Sequence, residues 1–410
     1  MDDGLIVGID LGDMITQVHC AELETDWAIS TVLCKKKQED VWYIGKEAYS
    51  CVLEGAGILS DKLVTLAKKD GTATFEDIKY TGEDLLAQFL FQIFEMVRSE
   101  AGKEQIGRVV VSVDYLEQSF IRKIALCTAR AANLSEECVH IISREESFVY
   151  YILSQRKDIW NHEVGVFELS KGGLTYFNFR VRRGLKDLTV FADSVHLEES
   201  FSPDVLMNES GKKLGDQILS SCAERLLRGK LFSAIILTGD GFERTDWAPG
   251  FMSVIGQKRR VYLEKNLFAI GCVCKAAELA KGNIEPPFTC ICNGHLDCSV
   301  AMDVMHSGKE KRLVVVPAGA CWYEANATAE FILGDQKELT FLMIPVQNGQ
   351  NEKRAVVSLQ EFPDRPPRTT RIELSVSFLD AKTMEVVVKD LGFGELFAAT
   401  ETTIRQEVTL

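Results

Sequence analysis

The chain opens on a near-continuous apolar run, Gly4-Leu5-Ile6-Val7-Gly8-Ile9, closed by Asp10-Leu11-Gly12-Asp13. A short unbroken run of this kind predicts a strand buried on both faces that enters a turn, with a second strand over 17–22. A 3.6-residue period then takes over. Leu85, Leu86, Phe89, Leu90, Ile93, Phe94 and Val97 form one stripe, which predicts a helix over 82–100 with Thr81 as N-cap and Asp84 completing a capping-box-like pair. Val109-Val110-Val111-Ser112-Val113 predicts a buried strand, 117–133 a helix and 139–142 the next strand. Strands and helices alternating at these lengths imply βαβ units and a largely parallel sheet.

The pattern then restarts. Val164-Gly165-Val166-Phe167-Glu168-Leu169 is a second apolar run ending in an acid and a Ser-Lys-Gly-Gly turn. Strands are predicted at 174–183, 187–194 and 234–237, and helices at 210–227 and 265–280. Both halves begin with an apolar strand, an acid and a small-residue turn, so the architecture reads as duplicated without any identity-level repeat. After Pro286-Pro287 the grammar changes to short alternating strands separated by polar turns, which predicts an all-β sandwich over 298–410. The expected division is 1–285, in lobes of about 1–160 and 161–285, followed by the sandwich, with the boundary at 284–298.

Composition narrows the function classes. A net charge of −14 over 410 residues argues against a nucleic-acid binder, which needs a basic face. No run approaches a membrane span, and Met1-Asp2-Asp3-Gly4 lacks the basic start of a secretory signal. The 12 cysteines then read as reduced thiols of a cytoplasmic protein. Lys35-Lys36-Lys37 reads as a solvated turn.

An acid at the end of a buried strand, followed by a turn with free amides, can hold Mg²⁺ and cradle phosphate. Gly8-Ile9-Asp10-Leu11-Gly12 has that form, as does the turn from Glu168 through Gly172-Gly173, and Thr238-Gly239-Asp240-Gly241 is a third small-residue turn after a strand. A tight hairpin with a solvated Asp is the competing reading of the first. Cys290, Cys292, His295 and Cys298 fall within nine residues and offer a weak zinc set; Cys-x-Cys is unusual spacing, and Cys272 and Cys274 fit a helix as small core residues.

In this order the motifs resemble the actin, sugar-kinase and heat-shock ATPase superfamily, and specifically the DnaK-type, seventy-kilodalton heat-shock chaperones. The chain looks like a divergent, lidless bacterial member. Residues 8–12 match the first phosphate loop of that family. Val113 through Leu134 is similar to "VPAYF…QR…A…AGL", and Ile141-Ile142-Ser143-Arg144-Glu145-Glu146 lies where the family reads "IINEPTAA". Residues 164–173 resemble the second phosphate loop, Leu237-Thr238-Gly239 the adenosine motif, and Ala269-Ile270-Gly271 the closing "AxGAA" helix. Phe362 to Arg368 followed by 372–380 resembles "IPPAPRG-PQIEVTFDID" of the substrate-binding sandwich. The resemblance implies an α/β duplicated actin-like (ribonuclease H-like) ATPase fold followed by an all-β, substrate-binding-like sandwich. It also implies ATP or ADP with magnesium, with Asp10 and Glu168 on Mg-bound water, the amides of Gly12, Gly172 and Gly173 on phosphate and Gly239 on adenosine.

The departures from that pattern bear on activity. Asp13-Met14 replaces the hydroxylated pair of the first loop, which puts an acid where phosphate approaches. Glu168-Leu169-Ser170-Lys171 replaces "DLGG", and Asp240 stands where the family has Gly before Gly241. The catalytic Lys has only Lys62 as a loose counterpart and the family's Glu only Glu145. The adenosine-clamping outer lobe is largely missing, and no helical lid is expected after Leu410. Since phosphoryl transfer depends on positioned charge and Mg²⁺, two readings stay open. One is a degenerate chaperone-like or adaptor protein that holds a polypeptide partner, with nucleotide as a ligand or switch. The other is an active Mg-ATP-dependent chaperone ATPase. A filament-forming relative is disfavoured, because the appended sandwich would crowd a polymer axis.

Overall fold

The computed structural model describes residues 4–184, 188–282, 286–347, 349 and 351–410. The chain divides into two compact units between Phe288 and Thr289. The boundary expected at 284–298 lies partly outside the described residues.

The first unit contains two central sheets built alike. In the first, β1 (Leu5–Leu11), β2 (Ile15–Cys20), β3 (Thr25–Ser30), β4 (Ile106–Val113) and β5 (Val139–Ser143) lie in the order β3-β2-β1-β4-β5. In the second, β6 (Glu163–Ser170), β7 (Gly173–Arg183), β8 (Leu188–His196), β9 (Phe232–Thr238) and β10 (Arg260–Leu263) lie in the order β8-β7-β6-β9-β10. Each begins with an antiparallel meander of three strands and then adds two strands parallel to the first. The strand expected over 187–194 has its first residue outside the described set. The strand over 25–30, half-buried and rich in polar residues, carries too weak a period to be seen in the sequence.

Burial explains why the leading strands read as apolar runs. Leu5, Val7, Ile9 and Leu11 enter one core with Leu85, Phe89, Ile93 and Val97 of helix α1 (Gly82–Ala101). The opposite face of β1 receives a helix from the end of the unit, Leu267–Leu279. There Gly8 is obligatory, since a Cβ would lie 2.2 Å from the Ala269 carbonyl oxygen. The same helix crosses Arg144–Ser154 where Gly271 meets Ser147, and the Ser147 hydroxyl donates to the Phe268 carbonyl. Small residues thus let backbones approach closely, bringing the N-terminal turn of helix Arg144–Ser154 to the ends of both leading strands.

Residues 31–81 form an excursion of short strands and helices whose centre is an edge-to-face cluster of Trp42, Phe75 and Tyr80. Lys35 corrects the expected solvated turn. It lies on the strand Leu33–Lys36, is 8% exposed, and donates to the Tyr80 hydroxyl at 3.2 Å beside the Trp42 ring. Its alkyl stem packs while the ammonium keeps aromatic and hydroxyl partners.

The second unit carries two four-stranded antiparallel sheets. Cys298–His306, Lys309–Val316, Glu338–Pro345 and Lys353–Ser358 form one, and Ala327–Leu333, Thr370–Asp380, Thr383–Gly392 and Thr403–Thr409 form the other. Leu374, Val376 and Phe378 alternate inward opposite Val388, Val386 and Met384. This two-residue period leaves no freedom for a register slip without turning the apolar set outward. Arg365, inside the Pro-rich stretch 362–368, makes a buried bidentate pair with Asp390 at 2.7 and 2.8 Å. Asp390 also accepts from the Gly392 and Thr400 amides, so Arg365 ties the chain after Gly392 to the sheet. Among the described residues no helix is long and apolar enough to cross a membrane.

Candidate functional site

Equivalent register positions of the two sheets bring Asp10 and Glu168 together. Asp10 pairs with Gln17 and Ser112 on its neighbouring strands, and Glu168 with Thr175 and Thr238 on its own. The space between the two carboxylates holds the guanidinium of Arg144. Nε and Nη2 donate to Asp10 Oδ1 and Oδ2, each at 3.1 Å, while Nη2 and Nη1 donate to Glu168 Oε1 and Oε2 at 2.6 and 2.9 Å. Nη1 also donates to Asp114 Oδ1 at 3.3 Å. All five N–H donors of the planar fork are thereby used. The Phe268 ring lies 3.9 Å from Arg144 Cζ and the Phe177 ring 5.6 Å.

The three central side chains are almost dry: Arg144 is 14% exposed, Asp10 11% and Glu168 12%. Burial pushes the Asp10 carboxyl up to about 6; Arg144 opposes this, Asp114 and Glu168 add to it, and the Ser112 hydroxyl at 2.8 Å lowers it again. Burial likewise disfavours the charged form of Arg144, but Asp10, Glu168 and Asp114 overcome it and hold the guanidinium protonated. One fixed positive charge among three acids is a satisfied ion cluster with residual negative charge.

These residues do not fit a magnesium nucleotide. A cation between Asp10 and Glu168 would meet the guanidinium, which stays protonated at any accessible pH. The glycines of the expected phosphate loops already serve the fold, as does the Gly172 amide. Gly12 ends the first hairpin, its carbonyl accepting from Thr31 Oγ1 at 2.7 Å, and the Gly172 amide donates to Ser170 Oγ at 3.2 Å. Gly173, at φ +108°, leaves room for Ser200, whose hydroxyl accepts from the Leu174 amide at 2.6 Å. Gly239, at φ +90°, packs so tightly that a Cβ would lie 2.3 Å from the Leu169 carbonyl oxygen; Gly241 packs on the Leu169 side chain. The acid between them, Asp240, has a buried Oδ1 without a hydrogen-bond partner among the described residues, and burial raises its carboxyl.

A model described as "Family of unknown function (DUF5716) C-terminal" matches residues 14–293. The chain belongs to the DUF5716 family. Residues 295–410 match a "Domain of unknown function (DUF8552)". No curated protein matches the chain.

In this DUF5716 member the remaining candidates fall apart spatially. Asp13, expected beside phosphate, instead turns away to accept from the amide of Thr65 at 2.9 Å and from its hydroxyl, capping the helix Leu63–Lys68. Lys62 precedes that helix in a left-handed conformation and is exposed. Glu145 is buried with its carboxylate accepting from Ser194 Oγ on β8. Glu145 is thereby committed to Ser194, and the side chain that reaches the two leading acids is its neighbour Arg144. Arg144 lies inside the stretch 141–146 that carries part of the resemblance, but no role was expected of it; its signal was a basic residue in the first turn after a buried strand, where acids are favoured by the helix dipole. Cys290, Cys292 and His295 converge in the second unit, whereas Cys298 stands outside that group, in the ladder opposite Pro345.

Proposed function

We propose that the first unit of this protein is a duplicated actin-like (ribonuclease H-like) fold whose nucleotide cleft has become a fixed ion cluster. On this reading the protein works as a chaperone-like adaptor that holds a polypeptide partner and hydrolyses no nucleotide. The observation that carries the reading is the Arg144 guanidinium between Asp10 and Glu168. Phosphoryl transfer relies on a metal ion and positioned donors, and here a guanidinium stands between the two acids while the Gly172 amide is bonded to Ser170.

Support for a polypeptide partner comes from the second unit by itself. Lys309–Val316 is an edge strand whose residues are exposed on both faces up to Val314. Leu313 and Val314 stand out in solvent there, as does Met305 on the adjoining strand. An edge of this kind can accept an extended chain by strand addition.

Calorimetric titration of the full chain with Mg-ATP and Mg-ADP, paired with a thermal shift, tests the proposal. The expected result is no heat and no shift at millimolar nucleotide, together with measurable binding of a permanently unfolded polypeptide. Tight nucleotide binding that Asp10→Ala abolishes would overturn it.

A further inference from the structure

The turn after the strand Phe288–Ile291 gathers soft ligands. Cys290 lies in this strand and Cys292 in the bend just after its end. Their sulfurs lie 3.6 Å apart. Gly294, at φ +95°, then reverses the chain, and the His295 amide donates to the Cys292 carbonyl at 3.0 Å. That turn sets His295 Nδ1 3.2 Å from Cys292 Sγ. The three ligand atoms all lie within 4.8 Å of one another, in residues that are 8%, 9% and 7% exposed.

These separations are those of a tetrahedral zinc site. With Zn–S of about 2.3 Å and Zn–N of about 2.0–2.1 Å, tetrahedral ligands stand about 3.8 Å apart for S···S and about 3.6 Å for S···N. The observed 3.6 and 3.2 Å need only a small expansion around an ion. We infer that Cys290, Cys292 and His295 bind Zn²⁺. The loop is held independently of any ion. Leu296 N donates to the Ala320 carbonyl at 2.9 Å, Gly319 N to the Leu296 carbonyl at 2.8 Å, and Trp322 N to the Gly294 carbonyl at 3.0 Å.

The second nitrogen of His295 supplies the orienting contact that such ligands use. Nε2 lies 3.6 Å from Cys321 Sγ, on the far side of the ring from the two ligand sulfurs. With Nδ1 on the metal, Nε2–H donates to Cys321, which fixes the tautomer and ring plane. Cys321 is thus a positioning residue and not a ligand. The Cys298 sulfur is not among the ligand atoms that converge, and burial pushes its thiol up to about 11. Cys₂His donors favour zinc over the harder divalent ions.

The test uses the full chain, stripped with chelator, returned to excess Zn²⁺ and passed through gel filtration before metal analysis. The expected result is a single retained equivalent, lost in Cys290→Ser, Cys292→Ser and His295→Ala and kept in Cys298→Ser. Cys321→Ser should retain zinc with affinity lowered about 10–100-fold. Co²⁺ should give tetrahedral ligand-field and thiolate charge-transfer absorption. A folded chain that leaves the column zinc-free overturns the site, as does zinc kept in Cys292→Ser or lost in Cys298→Ser. Where a ligand variant fails to fold, alkylation of the unmutated chain decides. Zinc must slow labelling of Cys290 and Cys292, and equal labelling with and without zinc overturns the assignment.

Discussion

Replacing Arg144 by alanine probes the cleft most directly. The substitution removes five charge-assisted hydrogen bonds and leaves Asp10 and Glu168 facing each other almost out of water. Taking one partner from a buried ion pair typically costs about 3–5 kcal/mol, because the orphaned charge keeps its desolvation penalty. For a unit of this size that corresponds to a fall of about 6–20 °C in Tm. Differential scanning calorimetry should place the loss in the first unit's transition and leave the sandwich unchanged. Two signatures separate electrostatics from lost packing. The deficit should shrink as pH falls and the orphaned carboxylates take up protons, and it should shrink again when Asp10→Asn and Glu168→Gln are added. Arg144→Ala should also gain a stabilisation by Mg²⁺ or Ca²⁺ that the unmutated chain lacks, since the carboxylates then face an open cavity. A loss below about 1 kcal/mol, or one unaltered by neutralising both acids, would refute the reasoning.

Three further outcomes follow from the same physics. With its carboxyl raised to about 6 by burial, Asp10 contributes stability that is complete below its ordinary pKa and disappears as pH rises through about 6; urea midpoints of the first unit should fall over that window, and Asp10→Asn should flatten the fall. Asp390 is the opposite case: burial raises its carboxyl, but Arg365 and the Thr400 and Gly392 bonds overcome this and hold it far below the ordinary range. Its contribution is present above the ordinary carboxylate pKa and lost on acidification, and Arg365→Ala should destabilise the sandwich by about 3–5 kcal/mol in chemical denaturation. Asp13→Ala should lower stability by about 0.5–2 kcal/mol through the lost Thr65 cap, with no gain in nucleotide affinity by calorimetry.

Much of the fold was legible because periodicity survives without tertiary information. The stripe from Leu85 to Val97 belongs to the helix Gly82–Ala101, and the apolar runs at 5–9 and 164–169 are the leading strands of two sheets with one strand order. Elements with weak periods were not legible: Thr25–Ser30 is a half-buried strand, and Lys35 hides its stem in an aromatic cluster that only the fold assembles. The glycines have a second physical reading. A position that lets phosphate approach the backbone is chemically the same as one that lets another segment approach, and at Gly8 and Gly239 the approaching group is the Ala269 or Leu169 carbonyl.

The sequence by itself determined the secondary-structure alphabet, the two acids ending equivalent strands, and the change to a sandwich, because hydrophobic period and turn chemistry act over a few residues. What occupies the space between those acids was decided by tertiary structure alone. Arg144 is separated from Asp10 by 134 residues and from Glu168 by 24. No local rule distinguishes an arginine that salt-bridges at the surface from one driven between two buried carboxylates. That choice is made only when helix Arg144–Ser154 docks against Leu267–Leu279 at Ser147 and Gly271, where backbone contact sets the height of its first turn.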